Sequence, residues 1–342
     1  MKKIFLLLAF AWFSFSTFAV SLKDFSLSIE PLFGIRYGEL GEYYYENQTN
    51  YDTNKVSELE WEYKPVFYIG AQISGGWKGI SASTYIKVGI PKKSGLMTDS
   101  DWLNNSPFYV SAENAKKTQN YKTNYTESDN YLKTNINWGI KAGYTFSPFS
   151  FFEIAPYTAF DISYIKFAAK GLNGWYAKKN SEGHYTPYTD TAHAEKQSYS
   201  YNSEVITYDR YTYLVWIGLN MQFITPIHLN CTIGFQIAPY IYSVSYDAHV
   251  LRQKSRPDLA NFYADEVSSN FAAYKWLASF SYHFTKHLSA SINFECFYAP
   301  EKKGDEYESY TEGKNYKPSA SAKGGASEWY IDTGISVKYT FF

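Results

Sequence analysis

The amino-acid sequence predicts an all-β protein, a ten-stranded antiparallel transmembrane β-barrel with long extracellular loops and short periplasmic turns. Apolar and polar residues alternate with period two in segments long enough to cross a bilayer at a tilt. Short and long connections alternate strictly along the chain. The 342 residues include 35 Tyr, 25 Phe and 9 Trp, yet the mean hydropathy is negative. Such values are expected when apolar side chains alternate with polar ones instead of clustering.

The N-terminus predicts export. Lys2 and Lys3 precede an apolar run that extends to about Phe18, and small residues follow where a signal peptidase would cut. The run is short for a membrane helix, and no stop-transfer segment follows it. We therefore expect residues 1–19 to be a cleaved signal peptide and residues 20–342 to form a single outer-membrane domain.

The strands follow from the alternation and the connections from their breaker residues. Predicted strands span about 24–45, 56–73, 77–92, 129–146, 151–172, 201–224, 229–250, 269–284, 288–300 and 327–342. Tight turns are predicted at 74–76, 147–150, 225–228 and 285–287, and longer polar loops near 46–55, 93–128, 173–200, 251–268 and 301–326. Because short turns face the periplasm and long loops the outside, four short and five long connections give ten strands.

The composition limits the partners. A formal net charge of −1 gives no indication of a nucleic-acid partner. Cys231 and Cys296 each fall on the apolar phase of a strand, so two separate thiols are favoured over a disulfide, although the sequence leaves the pairing open. No cofactor motif or metal-ligand cluster is evident, so we expect neither a cofactor nor a metal.

The interior of a ten-stranded barrel is narrow enough for side chains to fill. Four charged residues with a predicted inward direction are candidates to close it with ion pairs: Glu60, Glu62, Lys64 and Lys141. A lumen closed in this way makes a porin the least favoured interpretation of the barrel.

Two acidic motifs fall at the predicted extracellular rim. Asp99 and Asp101 open the second outer loop, and Asp247 and His249 end the seventh strand. In an extended chain, residues i and i+2 project to the same side, so Asp247 can orient His249 and the other two can form an acidic pair. Together they can activate a water molecule for amide hydrolysis without a covalent intermediate. Taken alone, either motif is more often a solvated rim.

The seventh strand contains a conflict of phase. Strict alternation from Leu229 would place Asp247 and His249 on the lipid-facing side, where charge is costly. Either the site lies wholly above the bilayer, or a bulge near Ala238-Pro239 shifts the phase.

With these motifs in place, the sequence resembles the omptin family of outer-membrane endopeptidases. The matching positions are Met97, Asp99, Asp101 and Trp102, the Asp247 and His249 pair, the segment 57–61, Gly38 with Glu42, and the C-terminal 338–341. The resemblance implies a ten-stranded barrel with an Asp couple and a His-Asp dyad facing each other at the extracellular opening.

The resemblance also implies a role for each residue. Asp99 would hold the nucleophilic water together with His249, Asp101 would support the couple electrostatically, and Asp247 would orient His249. Glu42 matches an acidic residue that binds a basic substrate side chain. The candidate substrate-binding residues are Glu42, Met97 and Ser245.

Two departures from the family pattern change the expectations. The family's second acidic specificity residue is replaced by Ser245, so we expect basic residues to be preferred less exclusively than with two carboxylates. Phe160, Ile162 and Tyr164 stand where the family has a lipopolysaccharide-binding cluster, which makes dependence on lipopolysaccharide doubtful.

The sequence therefore predicts a surface endopeptidase in the cell outer membrane, acting on peptides or proteins near basic residues. The alternative from another class is a non-proteolytic barrel of the same fold that serves as an adhesin or receptor. Outer-membrane lipid is a partner in either case.

Overall fold

A computed structural model describes residues 25–46, 55–115, 121–320 and 322–341. The predicted signal peptide at 1–19 lies outside the described residues. Nearly all regular structure is strand. The strands are β1 (Phe25–Glu46), β2 (Lys55–Trp77), β3 (Ile80–Gly89), β4 (Lys93–Asp101), β5 (Asn124–Tyr144), β6 (Phe146–Phe149), β7 (Phe152–Ala177), β8 (Ala194–Ile224), β9 (Leu229–Ala248), β10 (Phe262–Ser269), β11 (Ala273–His283), β12 (Leu288–Lys303), β13 (Asp305–Ser309), β14 (Lys317–Pro318) and β15 (Ala322–Thr340).

Antiparallel pairing closes these strands into a ring. β1 pairs with β2 on one side and with β15 on the other, so neither end of the sheet is left open. β3 and β4 both pair with β2 and β5, and β10 and β11 both pair with β9, so each couple acts as one crossing. β6, β13 and β14 are short pieces at strand ends. The described strands thus make ten crossings, and the predicted fold class is confirmed.

The helices are short. A 3-10 turn (Leu103–Asn105) and a helical turn (Ala112–Ala115) follow β4, and the helix α1 (Val250–Ser255) follows β9. Among the described residues, no helix has both the length and the apolar character needed to cross a membrane.

The first predicted turn is wrong by a few residues. Residues 74–76 lie inside β2, and Trp77 pairs directly with Ile80. The turn is made by Lys78 and Gly79, whose φ values of 48° and 87° correspond to the two-residue type I′ hairpin that suits the twist of the strands.

The predicted outer loops are largely strand. β4 lies within the segment predicted as loop 93–128, all but the last residue of β10 lies within 251–268, and β8 begins inside the loop predicted at 173–200. In these segments the sequence lacks the apolar-out alternation of a lipid-facing strand. Above the membrane the outer face of a strand meets water, which removes that requirement, while the backbone hydrogen bonds of the sheet continue.

An apolar belt surrounds the lower part of the barrel. Exposed residues of this belt include Ile29, Phe33, Ile69, Ile73, Ile136, Trp138, Ile140, Ile217, Ile233, Phe235, Trp276, Phe280, Ile292, Ile331 and Ile335. Exposed apolar side chains in a continuous outer band mark the lipid-facing surface. The belt ends at Tyr37 on β1 and at Ile90 before β4, and on β9 only tyrosines are exposed above Phe235, so the upper ends of these strands stand outside the membrane.

The phase conflict on the seventh crossing is resolved by a bulge. Val215 of β8 pairs with Tyr240, but Ile217 pairs with Ile237, so the β9 residues Ala238 and Pro239 form an extra step. Above that step Ser245 and Asp247 are buried inside the barrel. The bulge predicted at Ala238-Pro239 is confirmed, and it follows from the Pro, which cannot donate to the ladder.

The lumen within the belt is filled by ion pairs, but mostly not by the predicted residues. Arg36 binds Asp332 at 2.7 Å, Lys87 lies 3.2 Å from Asp332 and 3.4 Å from Glu295, and Lys275 contacts Asp161 at 3.0 Å and Glu295 at 3.4 Å. These three cations and three carboxylates form what we call the lumen network: Arg36, Lys87, Lys275, Asp161, Glu295 and Asp332.

The prediction that Glu60, Glu62 and Lys64 point inward is wrong. Trp61 and Tyr63 are buried in their place. The cause is a bulge in β2: Arg36 pairs with Val66 while Gly38 pairs with Tyr63, so the phase of β2 changes above the belt. Lys141 does lie in the lumen, with its ammonium 5.1 Å from the centre of the Tyr157 ring.

Cys231 and Cys296 are both free thiols, on β9 and β12 respectively. The favoured interpretation of two separate thiols is therefore confirmed.

Candidate active site

The two acidic motifs lie at the upper ends of their strands. Asp99 and Asp101, near the end of β4, pair across the sheet with Thr126 and Asn124 of β5, which are buried inside the barrel. Asp247 is the second-to-last residue of β9, and His249 directly follows that strand. All four predicted catalytic residues therefore lie above the apolar belt, at the same end of the barrel.

Asp247 and His249 form a direct dyad. The Nε2 atom of His249 lies 2.8 Å from Oδ2 of Asp247, whose side chain is only 2% exposed, whereas the histidine side chain is 22% exposed. The imidazole packs edge-on against the Tyr263 ring, with 5.5 Å between the centroids. Because Asp247 holds the proton on Nε2, the Nδ1 lone pair is the one free to act as a base.

The backbone fixes the histidine where α1 begins. The amide of His249 donates to the carbonyl of Asn261 at 2.8 Å, and its carbonyl accepts from the amide of Gln253 at 2.9 Å. Both contacts hold the backbone of His249 between β9 and the helix, and the ring itself is positioned by Asp247 and Tyr263.

The Asp couple is electrostatically strained. Burial, followed by repulsion from Asp101, raises the pKa of Asp99 well above its usual value. Burial also raises the pKa of Asp101, but hydrogen bonds from Asn124 and Ser57 oppose the rise. The Nδ2 atom of Asn124 donates to Oδ2 of Asp101 at 2.8 Å. Asp101 is therefore the member better able to stay ionised, and Asp99 is the better proton acceptor.

The dyad and the couple act on each other electrostatically. The charge of Asp247 contributes to the raised pKa of Asp99, and His249 lowers the pKa of Asp101. These effects indicate that the two pairs lie near one another at the barrel rim. The arrangement can bind a water molecule between a neutral imidazole and a carboxylate, both of which are able to accept a proton.

Arg252 is a neighbour of the site that the sequence interpretation missed. Its guanidinium lowers the pKa of both Asp99 and Asp101. The guanidinium is held by Asn261 Oδ1 at 2.9 Å and by the Tyr263 hydroxyl at 2.8 Å. Its position in α1, one turn after His249, could have been inferred only with knowledge that the chain becomes helical there.

Met97 occupies the floor beneath the couple. It is fully buried and belongs to an apolar cluster that includes Trp61, Phe167 and Tyr208. The Trp61 ring stacks on Phe167 at 5.7 Å and on Tyr208 at 5.3 Å between centroids. Met97 therefore packs in the barrel interior two residues before Asp99 on β4, and its predicted part in substrate binding stays a prediction.

Glu42 and Ser245 lie together beside Asp247. Glu42 is buried on the inner face of β1, and repulsion from Asp247 and Asp265 adds to the burial that raises its pKa. The hydroxyl of Ser245 donates to Oδ2 of Asp265 at 3.5 Å. The neighbouring Glu306 is likewise buried. Asp265 and Glu306 escaped the sequence analysis because their segments were interpreted as loops, where inward and outward directions are not defined.

The family of the chain follows from a comparison of its sequence with models of known protein families. A model of the omptin family matches residues 23–341. This chain belongs to the omptin family. Family membership indicates an outer-membrane protein and supports an outer-membrane protease. Comparison with curated protein sequences gave no match.

Solved structures agree with the fold. This omptin is similar to the outer membrane protease OmpT from Escherichia coli, with 16% sequence identity and a TM-score of 0.74, over 95% of this chain and 99% of that one. A major outer membrane protein from Thermus thermophilus has 8% identity and a TM-score of 0.32, over 93% of this chain and 99% of that one. Of these two similarities, the first is high enough to support the fold and the second is not.

Proposed function

We propose that this protein is an outer-membrane endopeptidase in which the Asp247 and His249 dyad and the Asp99 and Asp101 couple activate water. The observation that carries the proposal is the 2.8 Å contact between His249 and a buried carboxylate at the barrel rim, electrostatically linked to a second acidic pair. Membership of the omptin family supports the same activity.

The chemistry follows from the proton acceptors. His249 Nδ1 accepts a proton from a water held with Asp99, and the water oxygen forms a bond to the carbonyl carbon of the peptide. The tetrahedral intermediate then loses the amine, which takes the proton back from His249 as the C–N bond breaks. Asp247 stabilises the imidazolium that forms between the two steps, and Asp101 keeps negative charge beside Asp99.

Cleavage of a mixed peptide library, read by mass spectrometry, tests this proposal. His249→Ala and Asp99→Ala should each lower turnover by roughly 10³-fold or more, and Asp247→Asn should leave some residual activity, by analogy with other orienting carboxylates. His193→Ala is the matched control, because His193 also contacts an aspartate, Asp190, at 3.0 Å but is exposed. It should cleave like the parent protein.

The opposite result identifies the alternative function. If folded protein cleaves no peptide, the acidic rim is not catalytic and an adhesin or receptor of the same fold becomes the better proposal. Full activity in Asp99→Ala would overturn the proposed mechanism but not the proposed protease function.

Three further expectations belong to the proposal. We expect basic residues to be preferred because Glu42 lies beside Asp247. Residues 1–19 as a signal peptide, and 20–342 as one mature domain, stay a prediction that N-terminal sequencing of the mature protein tests. Independence from lipopolysaccharide is tested by comparing cleavage rates in lipid vesicles with and without it.

A further inference from the structure

One row of residues crosses four strands beside the dyad. Ser245 of β9 pairs with Arg210 of β8 on one side and with Asp265 of β10 on the other. Asp265 in turn pairs with Glu306 of β13. Residues paired across an antiparallel sheet project to the same face, so their side chains are neighbours at one level of the barrel.

Asp265 and Glu306 in this row and Glu42 of β1 near it are buried carboxylates, and two of the three are incompletely satisfied. Asp265 and Glu306 are 4% and 3% exposed, and Glu42 on β1 is 8% exposed. Among the described residues, Oε2 of Glu42 and Oε1 of Glu306 are buried oxygens without a hydrogen-bond partner. A buried carboxylate oxygen without a partner is unfavourable, so the arrangement favours the entry of a donor.

The cation in the row is already engaged. Arg210 donates to the hydroxyl of Tyr208 at 2.7 Å and to the carbonyls of Gly41 and Ser327 at 2.6 and 2.9 Å. The charge of Arg210 lowers the pKa of Glu42 and Asp265, but the hydrogen bonds that Arg210 donates go to neutral groups. Arg210 therefore lies near Glu42 and Asp265, and also near Glu328 of β15, without neutralising them through a direct hydrogen bond in the described rim.

The mutual effects of these groups show that they share one space. Burial, followed by repulsion from Asp247, raises the pKa of Glu42 and of Asp265. Burial, followed by repulsion from Asp265, raises the pKa of Glu306. Such rises mark a site where negative charge is present in excess and a positive group would be stabilised.

A glycine makes room for the second carboxylate. A Cβ atom built on Gly324 of β15 would lie 1.9 Å from Oδ1 of Asp265. Any larger residue at 324 would push the Asp265 carboxylate out of its place, so the space for this side chain is part of the architecture of the rim.

We propose that Asp265 supplies the pocket charge that Ser245 lacks, so that Glu42, Asp265 and Glu306 form an acidic pocket for the Arg or Lys side chain of a peptide. We call these three residues the rim pocket. The proposal rests on the proposed protease function, and it replaces the expectation of a relaxed preference: with the second carboxylate moved from β9 to β10, selectivity for basic side chains is strong. A side chain bound there lies next to Asp247, which places its peptide beside His249.

The first experiment compares two peptides that differ only in Arg or citrulline, which has the same shape without the charge. Asp265→Asn should lower kcat/KM at least tenfold for the Arg peptide and much less for the citrulline peptide, since a charge-assisted hydrogen bond is lost. The matched control is Glu266→Gln, the next residue along β10, which is exposed on the outer face. An unchanged ratio in Asp265→Asn overturns the proposal.

The second experiment moves the charge back across the sheet. Asp265→Ser combined with Ser245→Asp restores a carboxylate to the same row of cross-strand partners. The double variant should recover most of the Arg selectivity that Asp265→Ser alone loses. Failure to recover selectivity in folded double variant would show that Asp265 acts through the fold of the rim, and not as a pocket charge.

A binding measurement separates the pocket from the protease. The His249→Ala protein, with and without Asp265→Asn, is titrated with fluorescent Arg and citrulline peptides, and binding is read by anisotropy. Tighter binding of the Arg peptide that disappears in Asp265→Asn supports the pocket even when the parent protein cleaves nothing. Equal binding of the two peptides, or none, overturns the pocket even when cleavage is observed.

Discussion

The lumen inside the apolar belt and the rim above it use buried charge in opposite ways. In the lumen network three carboxylates are matched by three cations at 2.7 to 3.4 Å. At the rim, Arg210 lies near Glu42 and Asp265 but donates its hydrogen bonds to neutral groups, and Asp247 and Glu306 add further negative charge. Buried charges that are fully paired hold a structure together, whereas buried charges in excess favour binding of an ion of opposite sign.

Buried charge in this barrel is structural where it is paired and available for binding where it is not. Both regions contain buried acids and bases, and a search for charged residues alone would not separate them. The presence of partners separates them: Asp332 accepts two hydrogen bonds from Arg36, at 2.7 and 3.0 Å, while Glu306 has an oxygen without a partner among the described residues.

Removing a cation from the lumen network should give the largest change in stability. Lys275→Met leaves Asp161 and Glu295 without this partner, and breaking a buried ion pair costs about 3–5 kcal/mol. Urea unfolding of protein refolded in lipid vesicles, followed by tryptophan fluorescence, measures the loss. Lys64→Met is the matched control, since the Lys64 and Glu62 pair is exposed and contributes about 0–1 kcal/mol.

Equal losses in the two variants would contradict the comparison, because the lumen pairs would then be no more important than a surface pair. If Lys275→Met does not refold, Lys275→Arg, which keeps the charge, should refold and unfold near the parent's urea midpoint.

The fold could be predicted from the sequence because lipid imposes a strict pattern. Inside the belt, outward residues such as Ile136, Trp138 and Ile140 must be apolar, and the structure exposes all three. The bulge at Ala238-Pro239 could be predicted because Pro lacks an amide donor. The bulge in β2 was not predicted, although Pro65 lies within it, because strict alternation along β2 produced no conflict of phase.

The candidate site was predicted only where its residues lie near each other in sequence. Asp247 and His249 are two residues apart, and so are Asp99 and Asp101, so extended geometry brings each pair together. Asp265 joins Ser245 through pairing of β9 with β10, and that register depends on a strand that continues above the membrane. Above the belt the outer face of a strand meets water, and at Ser245 and Asp265 the inner face is polar as well, so this part of the sequence carries no alternation from which the register could be inferred.

The rate of peptide cleavage should fall with decreasing pH more steeply than it would if a single group were protonated. Activity needs a neutral His249 and an ionised Asp couple, and burial together with repulsion from Asp101 raises the pKa of Asp99 well above its usual value. The slope of log kcat/KM against pH should approach two, which is about a hundredfold loss per pH unit. Gel mobility without boiling confirms that the protein stays folded over the range.

Asp101→Asn sharpens this result. It removes the repulsion that raises the pKa of Asp99, so the remaining carboxyl ionises at lower pH and the acid limb should shift downward in the residual activity. If the acidic side of the pH profile has a slope of one and stays at the same pH in this variant, the Asp couple does not titrate in the reaction.

The smallest expected effect has the opposite sign to that in the lumen: Glu306→Gln should stabilise the protein at neutral pH. Because burial and repulsion from Asp265 raise the pKa of Glu306, the folded protein holds this proton more tightly than the unfolded chain. Stability is then lost as pH rises from the pKa of Glu306 in the unfolded chain to its raised pKa in the folded protein, and at neutral pH the carboxylate is a net cost.

Replacing the Glu306 carboxylate with a neutral amide should add about 1 kcal/mol to the free energy of unfolding at pH 7 and little under acidic conditions, while lowering the Arg-to-citrulline ratio. Urea unfolding at the two pH values measures the gain, with Asp332→Asn from the lumen network as the contrast, which should lose stability at pH 7. A loss in both variants would mean that Glu306 is as well compensated as Asp332, and the excess of negative charge from which the rim pocket was inferred would not exist.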